Sequence, residues 1–589
     1  MGRVTWVTVE RRFMAETAAP DLPDAIRRHL DEVVDAVRAG EKRWTETGLP
    51  ERAALLARVH GLAVENAQEW VDAAVAVKRL DPGSPLVGEE WISGPYALAS
   101  SAGTLSHTID AIASHRSPLD DLSFGTAPGG RTTVNVFPTS GWDRLLLSGF
   151  SAQVWLQPGV TQTRAREQAG LAQLDPATTS GVGLVLGAGN ITSIAPLDVL
   201  YELIAFNRVV ILKLNPIADR LLPVYETVFA PLIESGFVRI VTGGADVGTY
   251  LARHTEVTHV HMTGSAQTHD AIVFGTGPAA AGRKAAGEPL LNKPITSELG
   301  GVSPVIIVGD AWSTADVKYQ AEHVATQRLH NGGYNCVGTQ VVVLSSRWKH
   351  KKQFLRELAR AIDSAPDRPA YYPGSDDRVS AASQSYPSAE QFGPGGGRRL
   401  VTGLTTETAH DLVTTEYFAP VLGVMEIDAE DQEFLDRAAA YVNEQVDGTL
   451  GANVLAHPKV IRRLGDRFEG FIASLRYGTV AINTWTGFGF LTATATWGAF
   501  PGHDLADVQS GIGVVHNAML IDRPERTVVR GPFRPIQRSL ITGELSISPK
   551  PPWFVSNRTA ATTARRLVGF VGNPSVGKLP AIFASALRG

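Results

Sequence analysis

Apolar residues near the start of the chain recur at helical spacing. Between Leu22 and Val77 they lie three and four positions apart, as at Ile26, Leu30 and Val33. Because this spacing collects apolar side chains on one face of a helix, the region is predicted to form an amphipathic helical front end.

A polar, Gly-rich passage follows these helices and ends in two short apolar segments. Residues Thr132–Val136 and Ala152–Leu156 alternate or cluster in the way that strands do. We expect the two segments to pair as a β-ribbon.

The pattern of apolar residues changes at Gly181, beyond which apolar runs, Gly-rich turns and helical segments alternate. Repeated strand and helix alternation of this period favours a parallel sheet with crossover helices, the doubly wound class. The predicted elements are the strand Val182–Leu186, a turn at Gly187–Gly189, a helix over Pro196–Phe206, the strand Val209–Lys213, a helix over Leu221–Ser235, and the strands Val238–Val241 and His259–Met262.

A similar mixed α/β unit begins near Pro294 and continues to about Gly502. It is interrupted by a polar stretch, Pro366–Arg399, which its Gly and Pro content predicts to be a loop. The pattern therefore indicates two α/β units in sequence, without an internal repeat.

Length and composition limit the possible functions. The chain has 589 residues, 44% of them apolar and 19% charged, which is typical of a globular protein of two or three packed units. The net charge of −5, from 54 basic and 59 acidic residues, gives no overall electrostatic reason to bind nucleic acid or an anionic membrane. We expect a small-molecule substrate and no nucleic-acid partner.

The sequence also bears on cellular location. Charged residues from Arg3 to Asp21 leave no apolar run, so we expect neither a signal peptide nor a membrane anchor. The uncharged stretches Pro176–Leu197 and Tyr477–Gly502 are rich in Gly and Thr, which favours buried strand and turn over a transmembrane segment. A single cysteine, Cys336, excludes an intramolecular disulfide. We therefore expect a cytoplasmic protein.

Cys336 lies in a turn of small residues, Leu329–Gly338, between a predicted helix and the strand Gln340–Leu344. A lone cysteine is commonly a buried apolar filler. A catalytic cysteine instead needs a helix N-terminus, a cation or a nearby base, because a thiol with a pKa of about 8.5 is mostly protonated at neutral pH. Backbone N–H groups in a Gly-rich turn supply part of that environment. This segment alone leaves both interpretations open.

A glutamate that precedes Cys336 in the sequence favours the catalytic interpretation of this cysteine. Glu298 lies in Thr296–Pro304, where a solvated carboxylate is the commoner outcome for such a residue. Taken together, however, Glu-Leu-Gly-Gly-x-Ser-Pro and the later Asn-Gly-Gly-Tyr-Asn-Cys resemble the aldehyde dehydrogenase superfamily. The resemblance implies that Glu298 is a general base and Cys336 a nucleophile.

Further segments resemble the same family in the same order along roughly residues 22–520. Asn190 is similar to the family's asparagine whose amide helps to hold the thiohemiacetal oxyanion. Lys213, in Val210–Pro216, is similar to the lysine that reaches the adenosine ribose of the nicotinamide cofactor. Two simpler roles remain possible, because Asn190 could cap a helix and Lys213 could be a solubilising charge at a strand end.

Two more segments concern the cofactor. A Thr-Gly-Ser turn resembles the family's approach of a helix N-terminus to the pyrophosphate, which implies Gly264 and Ser265, although Gly264 could merely allow a tight turn. Thr415–Val421 resembles Glu-x-Phe-Gly-Pro-Val, which implies that Glu416 and Phe418 face the nicotinamide ribose and ring.

The sequence departs from the family pattern at two cofactor positions. His269 stands where a second glycine usually follows the Thr-Gly-Ser turn. Pro216 stands where a glutamate often accepts the ribose hydroxyls of NAD, and loss of that carboxylate makes a 2′-phosphate admissible. Arg220 is a possible phosphate partner. We expect the cofactor to be NAD or NADP.

Two histidines raise the question of a metal. His259 and His261 alternate on a predicted strand. Without a third ligand nearby in the sequence, a structural role is favoured over metal binding. We therefore predict no metal site.

The family resemblance implies two doubly wound Rossmann-like domains with a small β oligomerisation arm. The predicted units are a dinucleotide-binding domain of residues 1–129 and 180–296, a catalytic domain of residues 297–520, bridging strands in residues 130–179 and 521–545, and a C-terminal extension of residues 546–589. Thr527–Arg530 is expected to be an edge strand that joins a partner's sheet, with the strands at Thr132–Val136 and Ala152–Leu156 as its neighbours, in a homodimer or homotetramer. Docking of the extension on the protein's own surface is favoured over transient membrane contact.

The activity that follows from the resemblance is oxidation of an aldehyde to its carboxylic acid. Aromatic residues in Trp485–Phe490, with Trp497 and Phe500, suggest an apolar substrate pocket, with ordinary core packing as the alternative. A CoA-acylating relative, a reductase of acyl thioesters and a catalytically silent binding protein on the same fold remain alternatives.

Overall fold

The computed structural model describes residues 22–536, 538–539 and 543–589. The segment from Arg3 to Asp21, on which the expectation about a signal peptide depends, lies outside the described residues.

Helices and strands alternate through most of the described chain. The α-helices are Asp24–Glu46, Leu49–Glu65, Ala67–Lys78, Val87–Trp91, Ala97–Ala113, Gly141–Leu146, Gln162–Gln168, Ile194–Ala205, Leu222–Val228, Ala230–Glu234, Ala245–Arg253, Ala266–Phe274, Pro278–Ala286, Thr314–Leu329, Lys351–Ser364, Ser375–Ser385, His410–Thr414, Asp431–Glu444, Pro458–Leu464, Asp466–Ser474, Gly487–Leu491, Ala560–Gly572 and Leu579–Ala586. Short 3₁₀ helices include Pro216–Leu221 and His330–Gly333, and Ile92–Tyr96 forms a π-helical turn.

The strands are numbered in chain order. They are β1 (Phe124–Ala127), β2 (Arg131–Phe137), β3 (Ser151–Leu156), β4 (Val182–Leu186), β5 (Val209–Lys213), β6 (Val238–Val241), β7 (His259–Gly264), β8 (Ile295–Leu299), β9 (Ser303–Val308), β10 (Thr339–Ser345), β11 (Glu390–Phe392), β12 (Arg398–Leu404), β13 (Val421–Ile427), β14 (Gly451–Ala456), β15 (Thr479–Ile482), β16 (Thr496–Gly498), β17 (Gly511–Ile512), β18 (Val514–Asn517) and β19 (Pro524–Arg530).

The first large sheet has the strand order β17-β8-β7-β4-β5-β6. Strands β4 to β8 run parallel, and β17 pairs antiparallel with β8 at one edge. Every residue of β5 is buried, as expected for a parallel strand covered by helices on both faces. The repeated strand and helix pattern from Gly181 is thus confirmed.

The second sheet has eleven strands in the order β1-β2-β3-β19-β15-β14-β9-β10-β13-β12-β11. Its central strands are parallel, and antiparallel strands close both ends. The expected ribbon forms, because β2 pairs antiparallel with β3. The expectation of an edge strand at Thr527–Arg530 is wrong, because Thr527 lies between Thr479 of β15 and Val154 of β3 in the same chain. The predicted pairing with the Ala152–Leu156 strand is confirmed.

The polar stretch Pro366–Arg399 is more structured than its composition predicts. It contains the helix Ser375–Ser385 and the strand β11. This helix buries only Ser375, Val379 and Ala382, so its apolar stripe is too weak to be recognised from the sequence.

The C-terminal extension packs against the helical front end. Ala564 and Val568 of the helix Ala560–Gly572 are buried with Val71 and Trp91. A Cβ atom on Gly88 would approach the Ala560 carbonyl carbon to 2.5 Å, so the two helices meet backbone to backbone there. The apolar face of this helix therefore has an intramolecular partner.

Taken together, the two sheets with helices on their faces give the predicted mixed α/β fold. In the part of the chain that the structure describes, no helix is both long and apolar enough to cross a membrane. The domain boundaries given above stay a prediction.

Candidate active site

Cys336 follows a tight turn at the end of a long helix. The helix Thr314–Leu329 runs into the 3₁₀ turn His330–Gly333, in which Asn331 has φ 53° and Gly333 has φ 84°. A Cβ atom on Gly333 would lie 2.9 Å from the carbonyl oxygen of Ala419 and equally close to Arg328. Glycine is thus required for the sharp return that presents Cys336 just before β10.

Glu298 lies on β8, one residue before the end of the strand, and is fully buried. The Cys336 thiol donates a hydrogen bond to its Oε1 atom, with Sγ and Oε1 3.1 Å apart. Burial raises the pKa of Glu298, and it raises the pKa of Cys336 well above its usual value, to which the Glu298 charge adds. Burial thus disfavours a charge on either member of the pair. The sulfur makes a polar contact with Glu298 and also packs against an apolar cluster.

Asn190 follows β4 and is buried beside the turn that carries the cysteine. Its Nδ2 donates to the carbonyl oxygen of Tyr334 at 2.9 Å, two residues before Cys336. Ser193, not Asn190, precedes the helix Ile194–Ala205, so the alternative of a helix cap does not apply. The structure brings Asn190, Glu298 and Cys336 to one place.

Asn331 holds this arrangement and was missed in the sequence. Its Nδ2 donates to the carbonyl oxygens of Asn190 and Tyr334, both at 3.0 Å. Its Oδ1 accepts from Lys78 at 3.0 Å and from Arg368 at 2.9 Å. Asn-Gly favours left-handed turns, which is the one local signal that could have identified the residue.

Glu416 lies against the turn that follows the Glu298 strand. Its carboxylate accepts from the backbone of Gly301 and contacts the position that a side chain on Gly300 would occupy. Burial raises the pKa of Glu416 to about 7. Among the described residues, its buried Oε1 atom has no hydrogen-bond partner.

Phe418 is placed by an unusual backbone conformation. Its φ of 43° turns the ring toward Tyr334 and Tyr372, with ring centroids 6.0 and 5.0 Å away. The Phe418 ring thus contacts a residue of the turn that precedes Cys336.

Lys213, Gly264 and Ser265 lie at the carboxyl edge of the first sheet. Lys213 ends β5, and Gly264 ends β7 opposite Leu299 of β8. Three strand spacings separate β8 from β5, roughly 14 Å at about 4.8 Å each. These residues thus line the same edge as Glu298 without contacting the thiol.

Lys213 is 7% exposed, which does not fit a solubilising charge at a strand end. Burial lowers the pKa of Lys213, and the charges of Asp219 and Asp246 oppose part of that effect. Ser265 accepts from the Thr268 N–H at 3.2 Å and caps the helix Ala266–Phe274. The cap fixes a helix N-terminus beside Gly264.

Comparisons with known proteins point to one family. Residues 172–369 match the family model described as the aldehyde dehydrogenase family, and this range contains Asn190, Glu298 and Cys336. This part of the chain thus resembles aldehyde dehydrogenases.

Individual relatives are distant. An N-succinylglutamate 5-semialdehyde dehydrogenase from Sphingopyxis alaskensis is 26% identical over 263 residues, which are 42% of this chain and 49% of that protein. The chain thus spans about half the length of the curated relative that it matches.

Solved structures share the fold over most of the chain. An NADP-dependent glyceraldehyde-3-phosphate dehydrogenase from Bacillus halodurans, complexed with NADP, has a TM-score of 0.57 at 17% identity, covering 85% of this chain and 91% of its own. A gamma-glutamyl-gamma-aminobutyraldehyde dehydrogenase from Burkholderia cenocepacia has a TM-score of 0.56 at 18% identity, covering 85% and 88%. An aldehyde dehydrogenase mutant from Pseudomonas syringae, complexed with NAD+ and octanal, has a TM-score of 0.55 at 18% identity, with the same coverage.

The carboxyl edge of the first sheet could hold a nicotinamide dinucleotide. The Oε1 atom of Glu416, which has no hydrogen-bond partner among the described residues, could accept from ribose hydroxyls. Buried Lys213 lies farther along the edge, at the end of β5. The capped helix N-terminus at Ser265 lies between them and suits a pyrophosphate. His269, which replaces a glycine of the family, is fully buried within that helix.

Most aromatic residues proposed for a substrate pocket pack in the core. Trp485, Phe488 and Trp497 are buried in one cluster, and the Trp485 indole donates to the Val337 carbonyl at 3.1 Å. Phe490 and Phe500 differ because they are partly exposed. The Phe490 ring centroid lies 5.5 Å from that of Trp497, whereas the Phe500 ring lies 4.8 Å from the Arg526 guanidinium.

The two strand histidines pair with carboxylates. His259 lies 3.2 Å from Glu202, and His261 lies 3.4 Å from Asp198. Within the described ranges, no group of three or more His, Cys, Asp or Glu residues has the arrangement of a metal site.

Proposed function

We propose that the protein oxidises an aldehyde to its carboxylic acid with NAD or NADP, through a thiohemiacetal and a thioester on Cys336. The observation that carries the proposal is the 3.1 Å contact between the only sulfur nucleophile and the buried Glu298 carboxylate, next to the Asn190 amide. The family match supports the reaction class.

In the first step, Cys336 forms a bond with the carbonyl carbon of the aldehyde. The pKa of the thiol is raised, so the sulfur needs a base to take its proton, and Glu298 is within hydrogen-bond distance. The carbonyl oxygen gains the negative charge. One N–H of the Asn190 amide is used on Tyr334, and the second can donate to this oxygen together with the Cys336 backbone N–H.

A bound nicotinamide dinucleotide supplies the hydride acceptor that turns the thiohemiacetal into a thioester. We assign Glu416 and Phe418 to the nicotinamide end, Gly264 and Ser265 to the pyrophosphate and Lys213 to the adenosine end. We expect NAD to be preferred, since Asp219 and Asp246 lie close enough to Lys213 to repel a 2′-phosphate. Arg220 is exposed and could partly offset that repulsion.

In the last step, a water molecule adds to the thioester carbon and the carbon–sulfur bond breaks. Glu298, which has by then released the proton of the thiol to solvent, accepts the proton of this water, and Cys336 leaves as a thiolate that regains a proton from Glu298. A buried carboxylate beside the sulfur supports hydrolysis over transfer of the acyl group to CoA, because transfer needs no water-activating base.

An absorbance assay at the reduced-nicotinamide band tests the proposal, with NAD and NADP supplied to a panel of aldehydes. We expect acid and reduced cofactor in equal amounts without CoA, and no turnover in Cys336→Ser. Reduced cofactor that forms only with CoA would establish the acylating alternative. No reaction, together with no covalent labelling of Cys336 by an electrophilic aldehyde analogue, would indicate a silent binding protein.

Substrate and assembly are further parts of the proposal. The half-buried ring of Phe490 near Trp497 supports an apolar aldehyde. Each methylene buried in such a pocket adds about 0.8 kcal/mol, so kcat/KM should rise about fourfold per methylene in a chain-length series. The family resemblance supports a homodimer or homotetramer, which light scattering measures. A single cysteine agrees with a cytoplasmic location.

A further inference from the structure

The backbone carbonyl of Asn190 accepts hydrogen bonds from two side chains that are distant in the sequence. One bond comes from Nδ2 of Asn331 at 3.0 Å, and the other comes from the hydroxyl of Tyr371 at 3.1 Å. Because a carbonyl oxygen has two lone pairs, both acceptor positions of this oxygen are filled. The backbone that carries the Asn190 side chain is thus fixed by two buried donors.

The Tyr371 hydroxyl has one proton and two neighbouring acceptors. Besides the Asn190 carbonyl, it lies 3.0 Å from Oδ1 of Asn331. That oxygen already accepts from the charged groups of Lys78 at 3.0 Å and Arg368 at 2.9 Å. These two donors fill its lone pairs, and bonds from charged donors are the stronger ones. The phenol proton is therefore used on the Asn190 carbonyl.

The surroundings of Tyr371 keep its hydroxyl in place and protonated. Its ring meets the Tyr334 ring edge to face, with centroids 5.0 Å apart. The ammonium group of Lys78 lies 5.5 Å from the centroid of the Tyr371 ring. Burial raises the pKa of the Tyr371 hydroxyl well above its usual value, so the group stays a neutral donor.

A count of donors and acceptors leaves one N–H of the Asn190 amide for a ligand. The Tyr334 carbonyl accepts from Nδ2 of Asn190 at 2.9 Å and from Nδ2 of Asn331 at 3.0 Å. The Asn331 amide uses its two hydrogens on the Asn190 and Tyr334 carbonyls, and its third contact, with Asn335, is longer at 3.4 Å. Within the described ranges, only the second hydrogen on Nδ2 of Asn190 has no acceptor among these groups.

We propose that Tyr371 is a positioning residue for the oxyanion, because its bond to the Asn190 carbonyl aims the remaining amide N–H at the oxygen of the thiohemiacetal. The inference rests on the proposed function, since the oxyanion exists only in that reaction. A donor stabilises a developing charge only if it already points to the place where the charge forms. A misplacement of about 1 Å can cost about a hundredfold in rate.

Tyr371→Phe in the full-length enzyme removes the hydroxyl and keeps the ring. We expect the rate constant of the burst of reduced cofactor, which reports formation of the thioester, to fall about tenfold. The dissociation constant of NAD+, measured by calorimetry without aldehyde, should stay within about twofold of the wild-type value. The loss thus affects the chemical step and spares cofactor binding.

The same substitution in Asn190→Ala separates positioning from a general structural role. We expect Tyr371→Phe to change the burst rate constant less than about twofold in this background, because the amide that it positions is absent. A hydroxyl that only supports the fold would lower the rate by the same factor in both backgrounds. A first-order rate constant does not depend on the folded fraction, and Tyr371→Met provides a second variant without the hydroxyl.

Tyr477→Phe is the matched control. The buried Tyr477 hydroxyl also donates to a backbone carbonyl, that of Val442, at 2.7 Å. The variant therefore loses the same kind of buried hydrogen bond, and we expect its burst rate constant to equal that of the wild type.

The outcomes separate this inference from the proposed function. Wild-type enzyme that reduces no cofactor with any aldehyde would refute the function, and this inference with it. A normal wild-type burst would overturn the role of Tyr371 alone if its rate constant were unchanged in Tyr371→Phe and Tyr371→Met, lowered equally in the Asn190→Ala background, or lowered equally in Tyr477→Phe.

Discussion

The pH dependence of cofactor binding offers a direct test of the site, because Glu416 changes charge near neutrality. Burial raises the pKa of Glu416 to about 7 from a usual value of 4.5. The ionised fraction is then about one tenth at pH 6 and about nine tenths at pH 8. A carboxylate accepts hydrogen bonds from ribose hydroxyls better than the protonated group does. If only the carboxylate binds, cofactor affinity rises about tenfold between these two pH values.

Calorimetric titration of NAD+ into the enzyme without aldehyde measures this change, since no chemical step contributes. Glu416→Gln is neutral at every pH, and we expect it to bind weakly with no slope between pH 6 and pH 8. Glu426→Gln is the matched control. Glu426 is a partly buried glutamate on β13, the strand that follows Glu416, and it pairs with Lys351 at 2.5 Å. A wild-type affinity that stays flat, or a slope that persists in Glu416→Gln, would refute the assignment.

Three substitutions test the geometry around the thiol. Asn190→Ala removes the side-chain donor to the oxyanion, worth about 2.7–4 kcal/mol in comparable sites, so turnover should fall about a hundredfold or more, and an unchanged kcat would exclude this role. Glu298→Gln removes a charge and an acceptor that raise the pKa of Cys336, so alkylation of Cys336 by iodoacetamide at pH 7.5 should become about tenfold faster, while slower alkylation would contradict the coupling. Asn331→Ala removes one acceptor from Lys78 and Arg368, which keep their carboxylate partners, and removes the Nδ2 donor from two buried carbonyl oxygens, at a cost of about 1–3 kcal/mol. Thermal inactivation should be faster in this variant than in the wild type, and equal rates would argue against the network.

Local pattern was enough to predict the elements that build the first sheet. The run from Val182 to Lys213 gave a strand, a turn, a helix and a strand because apolar periodicity and glycine placement are properties of neighbouring residues. The same kind of signal failed in Pro366–Arg399, where a helix with a weak apolar stripe forms. It also failed for the edge position of β19, because a strand pattern does not show that β15 covers the other side of the strand.

Motif order nominated the candidate residues of the site, whereas only the tertiary structure showed what surrounds them. Cys336 meets Glu298 across 38 positions of the chain, Asn331 meets Lys78 across 253, and His516 meets Asp198 across 318. No periodicity within one segment encodes such pairs. They form because two sheets bring distant segments together. A buried charge is unstable unless a group of opposite charge or a hydrogen-bonding group lies beside it. The sequence by itself thus determined most strands and helices and the candidate nucleophile. The packing of the sheets decided which polar and charged groups lie beside that nucleophile.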